Sequence, residues 1–285
     1  YNFAVVVDDA LTGITHVIRG EDHISNTPRQ IVFMNALGFT VPEFAHLPII
    51  LNPDKSKMSK RYADTSLTSY RDDGYLAEAL INFLAYLGWH PKEDKDLMTL
   101  DEIIQEFDIS RVQKGGAVFD AEKLNWLNSS YVKNLSFDEF ADAVREYIPS
   151  DWKLTPAIVE SVKGRVEKLS EVKDLIDFYF ELPDYDAELL RWRGESLQDA
   201  VTHLKDSLDF FSGVDERKFT TEYLEKEMLD KLPKESRGAT LWPGRVALSG
   251  KSASPGPFEI MGALGKKESL KRIEDAIKKT GMLNI

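Results

Sequence analysis

The sequence predicts a mixed fold, a partial α/β unit followed by a mostly all-α region. Three observations carry this. Between Phe3 and Leu51, apolar runs and one helical pattern alternate in the order strand, helix, strand, as in the second half of an open parallel-sheet domain. Beyond residue 70, apolar residues recur at helical spacing, and Thr or Ser stands three positions before Glu where helices would start. Between the two regions lies Lys55-Ser56-Lys57-Met58-Ser59-Lys60-Arg61, a basic heptapeptide without an acid in a chain of net charge −12.

The first unit reads as follows. Phe3 to Val7 is a β-branched, mostly apolar run, expected to be a buried strand; Asp8 to Gly13 is turn chemistry; Ile14 to Ile18 alternates as a second strand. Asn26 is expected to cap a helix with Pro28 in its first turn, Ile31, Met34 and Leu37 along one side, and Gly38 as its stop. A strand at 47–51 follows, and Asn52-Pro53-Asp54 then turns the chain. The basic heptapeptide is thereby placed just past a strand end, where open α/β sheets bind ligands.

The remainder is expected to be helical. Leu76, Leu80, Phe83, Leu84 and Leu87 follow one face up to Gly88, and Thr99 with Glu102 and Ser136 with Glu139 form capping boxes. The stretch Gly115 to Asn128 reads as a turn and a helix with a buried Trp126. Thr155-Pro156 starts an amphipathic helix through Ile158, Val159, Val162 and Val166 that displays Lys163, Arg165 and Lys168. The stretch 181–243 is charged and helix-rich. Gly and Pro between 244 and 257 set an elbow before a last helix bearing Leu264, Leu270, Ile273 and Ile277, with lysines outside.

Composition narrows the function classes. With 285 residues, 42% of them apolar, the chain can build two or more cores. Opening inside an apolar run at Tyr1, it is expected to be part of a longer protein. The absence of cysteine excludes disulfides and thiolate zinc sites and fits a reducing compartment. No run approaches the roughly 18 apolar residues of a membrane span and no signal peptide is visible, so a cytoplasmic protein without a membrane partner is expected. His16, His23 and His46 have no metal-site spacing with Asp8 or Asp22, and neither zinc nor another protein-held metal is expected. The acidic balance opposes indiscriminate RNA binding, but basic clusters at 55–61, at Lys163/Arg165/Lys168 and at Lys266/Lys267/Lys271/Arg272 can make local positive fields.

Lys57-Met58-Ser59-Lys60-Arg61 resembles the KMSKS signature of class I aminoacyl-tRNA synthetases, in its KMSKR spelling. Tyr1 to Asp9 and Gly13 to His23, which contains Arg19-Gly20-Glu21-Asp22-His23, resemble the glutamate branch of that class, and the likeness to bacterial-type glutamyl-tRNA synthetases runs on to the last helix. The family's HIGH motif is not in this sequence. The resemblance implies the second half of a Rossmann-type nucleotide-binding domain over 1–56. It further implies the KMSKS loop with a helical stem-contact domain over 57–136, and anticodon-binding helical subdomains over 137–195 and 196–285.

The resemblance also assigns residues. Lys57 and Lys60 would be catalytic, stabilising the α-phosphate and the departing pyrophosphate. Asp22, Ile50, Lys57, Met58, Ser59, Lys60 and Arg61 would contact ATP. Tyr1, Val5 and Arg19 would line the glutamate pocket, where Val5 offers packing or backbone only. Arg165 would read the third anticodon base. The implied partners are tRNA(Glu), L-glutamate and ATP with Mg²⁺, acting with a monomer, and without the HIGH motif the chain alone is expected not to aminoacylate. Read without the resemblance, the basic loop is a solvated surface, the charges around Arg19 a structural ion pair or helix cap, and Ile50 plain core. The alternative function is a non-catalytic tRNA-binding or scaffolding protein derived from a synthetase.

Overall fold

Residues 1–58, 66–93 and 95–281 are described by the computed structural model, in which the chain divides into two compact units, Tyr1–Tyr131 and Val132–Ile285. In the first unit the run Phe3–Val7 is not a strand. It lies in helix α1 (Asn2–Thr12), and Asp8 to Thr12 are its last turns, not a loop. A short β-branched run fits either state, and tertiary burial decides: Val6 is fully buried in a helix that packs on α2 (Thr27–Leu37). Gly13 ends α1 in the left-handed region at φ 70°, a conformation that other residues adopt at a cost.

The second expected strand is present as β1 (His16–Gly20), paired in parallel with β2 (Glu43–Leu47) so that Arg19 lies opposite His46 and Gly20 opposite Leu47. The strand expected at 47–51 therefore sits four residues earlier. Proline has no N–H to donate, and the ladder stops one residue before Pro48. Only Leu51 of the later segment bridges, to Lys57 and to Val118. Helix α2 ends at Gly38 as expected, but Asn26 stands at its N-cap without a side-chain capping bond; its amide lies 3.2 Å from His23 Nδ1 instead.

Helices α3 (Leu67–Asp72), α4 (Ala77–Gly88), α5 (Leu100–Glu106) and α6 (Ala121–Asn134) follow. Leu80 and Phe83 of α4 pack on Leu124 and Leu127 of α6, and Trp89, Met98 and Ile103 form a second cluster. The expected burial of Trp126 is not found. It is 49% exposed, because Leu124, Leu127 and Asn128 already set the buried face of α6 at i, i+3, i+4. The capping box of Thr99 and Glu102 is formed.

The second unit contains α7 (Phe137–Ala143), α8 (Pro156–Lys163), α9 (Val172–Phe180), α10 (Leu197–Ser212), α11 (Thr221–Leu229), α12 (Arg237–Ser249) and α13 (Pro257–Lys279). The Ser136–Glu139 box caps α7 and Thr155 caps α8, which ends before Val166; that residue is nonetheless fully buried. The elbow between α12 and α13 runs through Gly250, Pro255 and Gly256. Helix α13 packs on α8, α9, α10, α11 and α12 and breaks helical geometry at Gly265. Arg272, counted by sequence in a basic cluster able to make a local positive field, is 5% exposed. Its Nη1 donates to Phe178 O (2.7 Å) and Leu248 O (2.8 Å) at the ends of α9 and α12, and its Nε donates to Glu268 Oε1 at 2.9 Å. Such a cation satisfies carbonyls that the two helices leave open.

Candidate functional site

The parallel pair β1/β2 directs the chain so that residues expected to bind ligand leave its carboxyl end together. At the end of β1, Gly20 is followed by a 3-10 turn, Glu21–His23. A Cβ at Gly20 would stand 2.6 Å from Asp22 Oδ1, so the close approach of this carboxylate requires glycine. Glu21 Oε1 accepts from Ile49 N (3.2 Å), which ties the turn to the segment after β2. Asp22 Oδ2 accepts from Lys57 Nζ at 3.3 Å, with both side chains about half exposed. The Lys57 hydrogen bond, more than its charge, holds the Asp22 carboxyl below the usual carboxylate range.

Lys57 is held by a short antiparallel turn. Met58 N donates to Ile50 O (3.0 Å) and Asn52 N to Ser56 O (2.8 Å), while Asp54 Oδ1 accepts from Ser56 N (2.9 Å) and Oγ (2.6 Å). Lys55 takes φ 65° within it. The turn rests on the 116–119 segment: Leu51 N donates to Ala117 O, Phe119 N to Leu51 O, each at 2.8 Å, and a Cβ at Gly116 would meet Leu51 and Ile49 O at 3.0–3.2 Å. Ile50 thus has its carbonyl engaged, and its side chain lines an apolar cavity of about 390 Å³ with Ile18, Leu47, Trp89 and Phe107. Ser59, Lys60 and Arg61 lie outside the described residues.

Arg19 has no carboxylate partner among the described residues. Its Nη2 donates to Thr27 Oγ1 and Gln30 Oε1, both at 2.8 Å; its Nε is enclosed without a partner. The guanidinium also lies 5.5 Å from the centre of the Phe44 ring. Both N–H bonds of Nη2 are thus used, and Nη1 is the nitrogen left for a further acceptor. Buried Gln30 donates in turn to Asn2 Oδ1 (3.1 Å), and Thr27 Oγ1 lies 3.0 Å from His46 Nε2. Tyr1, largely exposed, has its hydroxyl 3.4 Å from His23 Nδ1; Val5, half-buried, stands one turn along α1. Nothing local in the sequence groups Gln30, Thr27 and His46, because their partners are up to 28 residues away.

In the second unit Arg165 is half-exposed at the end of α8. Its Nη1 donates to Ser161 O (2.9 Å) and its Nη2 to Glu259 Oε2 (3.3 Å), the carboxylate that also caps Gly256 N at 2.6 Å. Arg245, not singled out by sequence, lies against the Trp242 ring at 4.6 Å; burial, and then the Arg165 charge, push its pKa down. Lys163, expected to face solvent, donates to Leu135 O at 2.9 Å. No group of three His, Asp or Glu side chains is placed to hold a metal among the described residues, and no helix is long and apolar enough to cross a membrane among them.

Residues 1–126 match the family of tRNA synthetases class I (E and Q), catalytic domain, and residues 139–277 match the anticodon binding domain family. The chain thus carries a class I tRNA synthetase (E and Q) catalytic domain over 1–126 and an anticodon-binding domain over 139–277. It is similar to glutamate–tRNA ligase 2 of Thermoanaerobacter pseudethanolicus, 39% identical over 97% of this chain and 60% of the relative. It is also similar to glutamate–tRNA ligase 1 of Caldicellulosiruptor saccharolyticus, at 41% over 96% of this chain and 59% of that protein. A crystal structure of a glutamate tRNA ligase from Elizabethkingia meningosepticum, in complex with its amino acid, superposes with a TM-score of 0.80 at 29% identity, covering 98% of this chain and 60% of that one. The chain spans about 60% of the length of the curated relatives it matches.

Proposed function

We propose that this chain supplies a glutamate–tRNA ligase with its KMSKR loop, part of its glutamate and ATP pocket and its anticodon-binding region. The whole reaction joins L-glutamate to ATP as glutamyl-adenylate with release of pyrophosphate, then esterifies the terminal adenosine of tRNA(Glu). The observation that carries the reading is the meeting of Asp22 and Lys57, 35 residues apart, at 3.3 Å beyond the carboxyl end of β1. A lysine there can follow negative charge from the α-phosphate to the departing pyrophosphate, and such a positioned donor typically contributes about 100- to 1,000-fold in rate. Asp22 is suited to accept a ribose hydroxyl and Ile50 to present backbone to adenine, with Met58 to Arg61 completing the ATP loop.

Arg19 is the carboxylate receptor for glutamate, supported by its lack of an internal counter-charge. Tyr1 and Val5 would border that pocket. Bound ATP would bring Mg²⁺ on its phosphates, whose charge the ion neutralises. The helical subdomains over 137–195 and 196–285 would engage the anticodon, with Arg165 donating to the third base. Lacking the HIGH motif, this chain by itself would not aminoacylate.

The test is a filter-binding titration of the chain with unmodified glutamate and glutamine tRNA transcripts at two salt concentrations, beside Arg165→Gln. Salt-sensitive binding that favours the glutamate transcript, with the preference lost in the variant, is the expected result. Equal, weak binding of both transcripts would remove the anticodon assignment.

A further inference from the structure

We propose that Gln30 is the positioning residue that presents Arg19 to a carboxylate ligand. The inference rests on the reading of Arg19 as a carboxylate receptor and adds to it the side chain that sets its geometry.

A guanidinium carries five N–H bonds in a rigid plane, and which of them are consumed inside the protein decides how a carboxylate can approach. Here the two on Nη2 go to Gln30 Oε1 and Thr27 Oγ1, each at 2.8 Å. Two bonds to one nitrogen fix the plane of the group against rotation about Nε–Cζ. They also block the paired approach through Nη2 that a bidentate fork needs. The next carboxylate must therefore approach Nη1; the enclosed Nε, whose N–H points to the Nη2 side, lies out of its reach.

Gln30 suits this task better than an acid would. It is 1% exposed, its amide is neutral, and its orientation is settled at both ends: the oxygen must face the arginine, which only donates, and Nε2 donates to Asn2 Oδ1 at 3.1 Å. A carboxylate at position 30 would keep the bond to Nη2 but neutralise Arg19 from within, and the attraction for an incoming acid would fall. The relay from Asn2 through Gln30 to Arg19 also ties the start of α1 to β1 by way of α2.

The experiment uses the chain with ¹⁵N-labelled arginine, as wild type, Gln30→Leu, Gln30→Glu and Arg19→Lys, the last assigning the Arg19 signals. In the unliganded wild type, separate Nη1 and Nη2 signals are expected for Arg19; they merge in Gln30→Leu and persist in Gln30→Glu. Titration with L-glutamate should move the Nη1 signal in the wild type. Affinity should fall about 3- to 10-fold in Gln30→Leu and more than about tenfold in Gln30→Glu, although only the former loses the bond.

A residue that merely supports the fold would instead change unfolding midpoints and leave the affinities alike. Separate signals and unchanged affinity in Gln30→Leu would overturn the proposal, as would a Gln30→Glu chain that binds glutamate like wild type. A wild type with pinned, separate signals that never respond to glutamate would overturn the receptor reading of Arg19 and, with it, the ligand half of this proposal.

Discussion

The two units treat apolar side chains differently. Every large apolar side chain that is substantially exposed among the described residues lies in the first unit, from Tyr1 and Phe3 through Ile18, Leu47 and Leu84 to Phe107, Ile109 and Trp126. The second unit has none among its described residues, and its helices close on α13 with Leu204, Leu224, Val246, Leu248 and Ile260 fully buried. The chemistry of each fold explains the contrast. A helical stack satisfies its backbone within each helix and can fold its apolar stripes onto one another. A parallel pair such as β1/β2 has backbone groups at both edges and two faces to cover, and parallel sheets occur almost only where both faces are buried. Of the exposed apolar side chains in the first unit, Ile18 and Leu47 belong to this pair and the others to helices and loops around it, and of the residues proposed to bind ligand, Asp22 and Lys57 follow the carboxyl end of the pair.

Core truncation should break or sustain this contrast most directly. Leu204→Ala in α10 is expected to cost about 2–5 kcal/mol, whereas Ile109→Ala, at a position 62% exposed, should stay within about 0.5 kcal/mol. Urea unfolding of the full chain measures both, and equal losses would mean that Ile109 is covered in solution. Next in size is Arg272→Met. It strips the donors from Phe178 O and Leu248 O, so a loss of about 2–4 kcal/mol confined to the second unit's transition is expected. A silent substitution would show that water replaces the guanidinium.

Smaller effects sharpen the comparison because they should not differ between the units. Thr99→Ala and Ser136→Ala each remove one half of a formed capping box, and each should lower stability by about 1 kcal/mol. A large inequality between them would show that tertiary context outweighs the cap itself. The smallest effect concerns acid. Because the Asp22 carboxyl is held below its ordinary range, its contact with Lys57 contributes above that range and is lost only as pH falls through the depressed value. Carboxyl NMR should find Asp22 titrating below about 3.9, and Lys57→Met should move it up toward that reference. A midpoint that ignores the substitution would mean the two groups do not meet in solution.

Local chemistry sufficed wherever the sequence was read correctly. The capping boxes at Thr99 and Ser136, the Thr155-Pro156 helix start and the Gly38 stop depend on neighbours within a few residues, whereas the elbow expected from 244 onward begins only at Gly250, because Gly244 to Ser249 stay in α12. The synthetase resemblance rests on contiguous motifs, and the family matches over 1–126 and 139–277 agree with the family it implies. What misled was any feature settled by a distant partner. The β-branched run of α1 is a helix because Val6 is buried in α1's packing on α2, and Trp126 is exposed because Leu124 and Leu127 claim the buried face. Arg272 is a core cation because two helix ends need its donors.

The sequence alone therefore determined the capping boxes at Thr99 and Ser136, the Thr155-Pro156 helix start and the Gly38 stop, since these are fixed by side chain and backbone within one or two turns. Only the tertiary structure decided that Lys57 meets Asp22 and that Gln30 and Thr27 take both bonds of Arg19 Nη2. A guanidinium looks the same in sequence whatever surrounds it. Its function is set by which of its five donors the fold has already used.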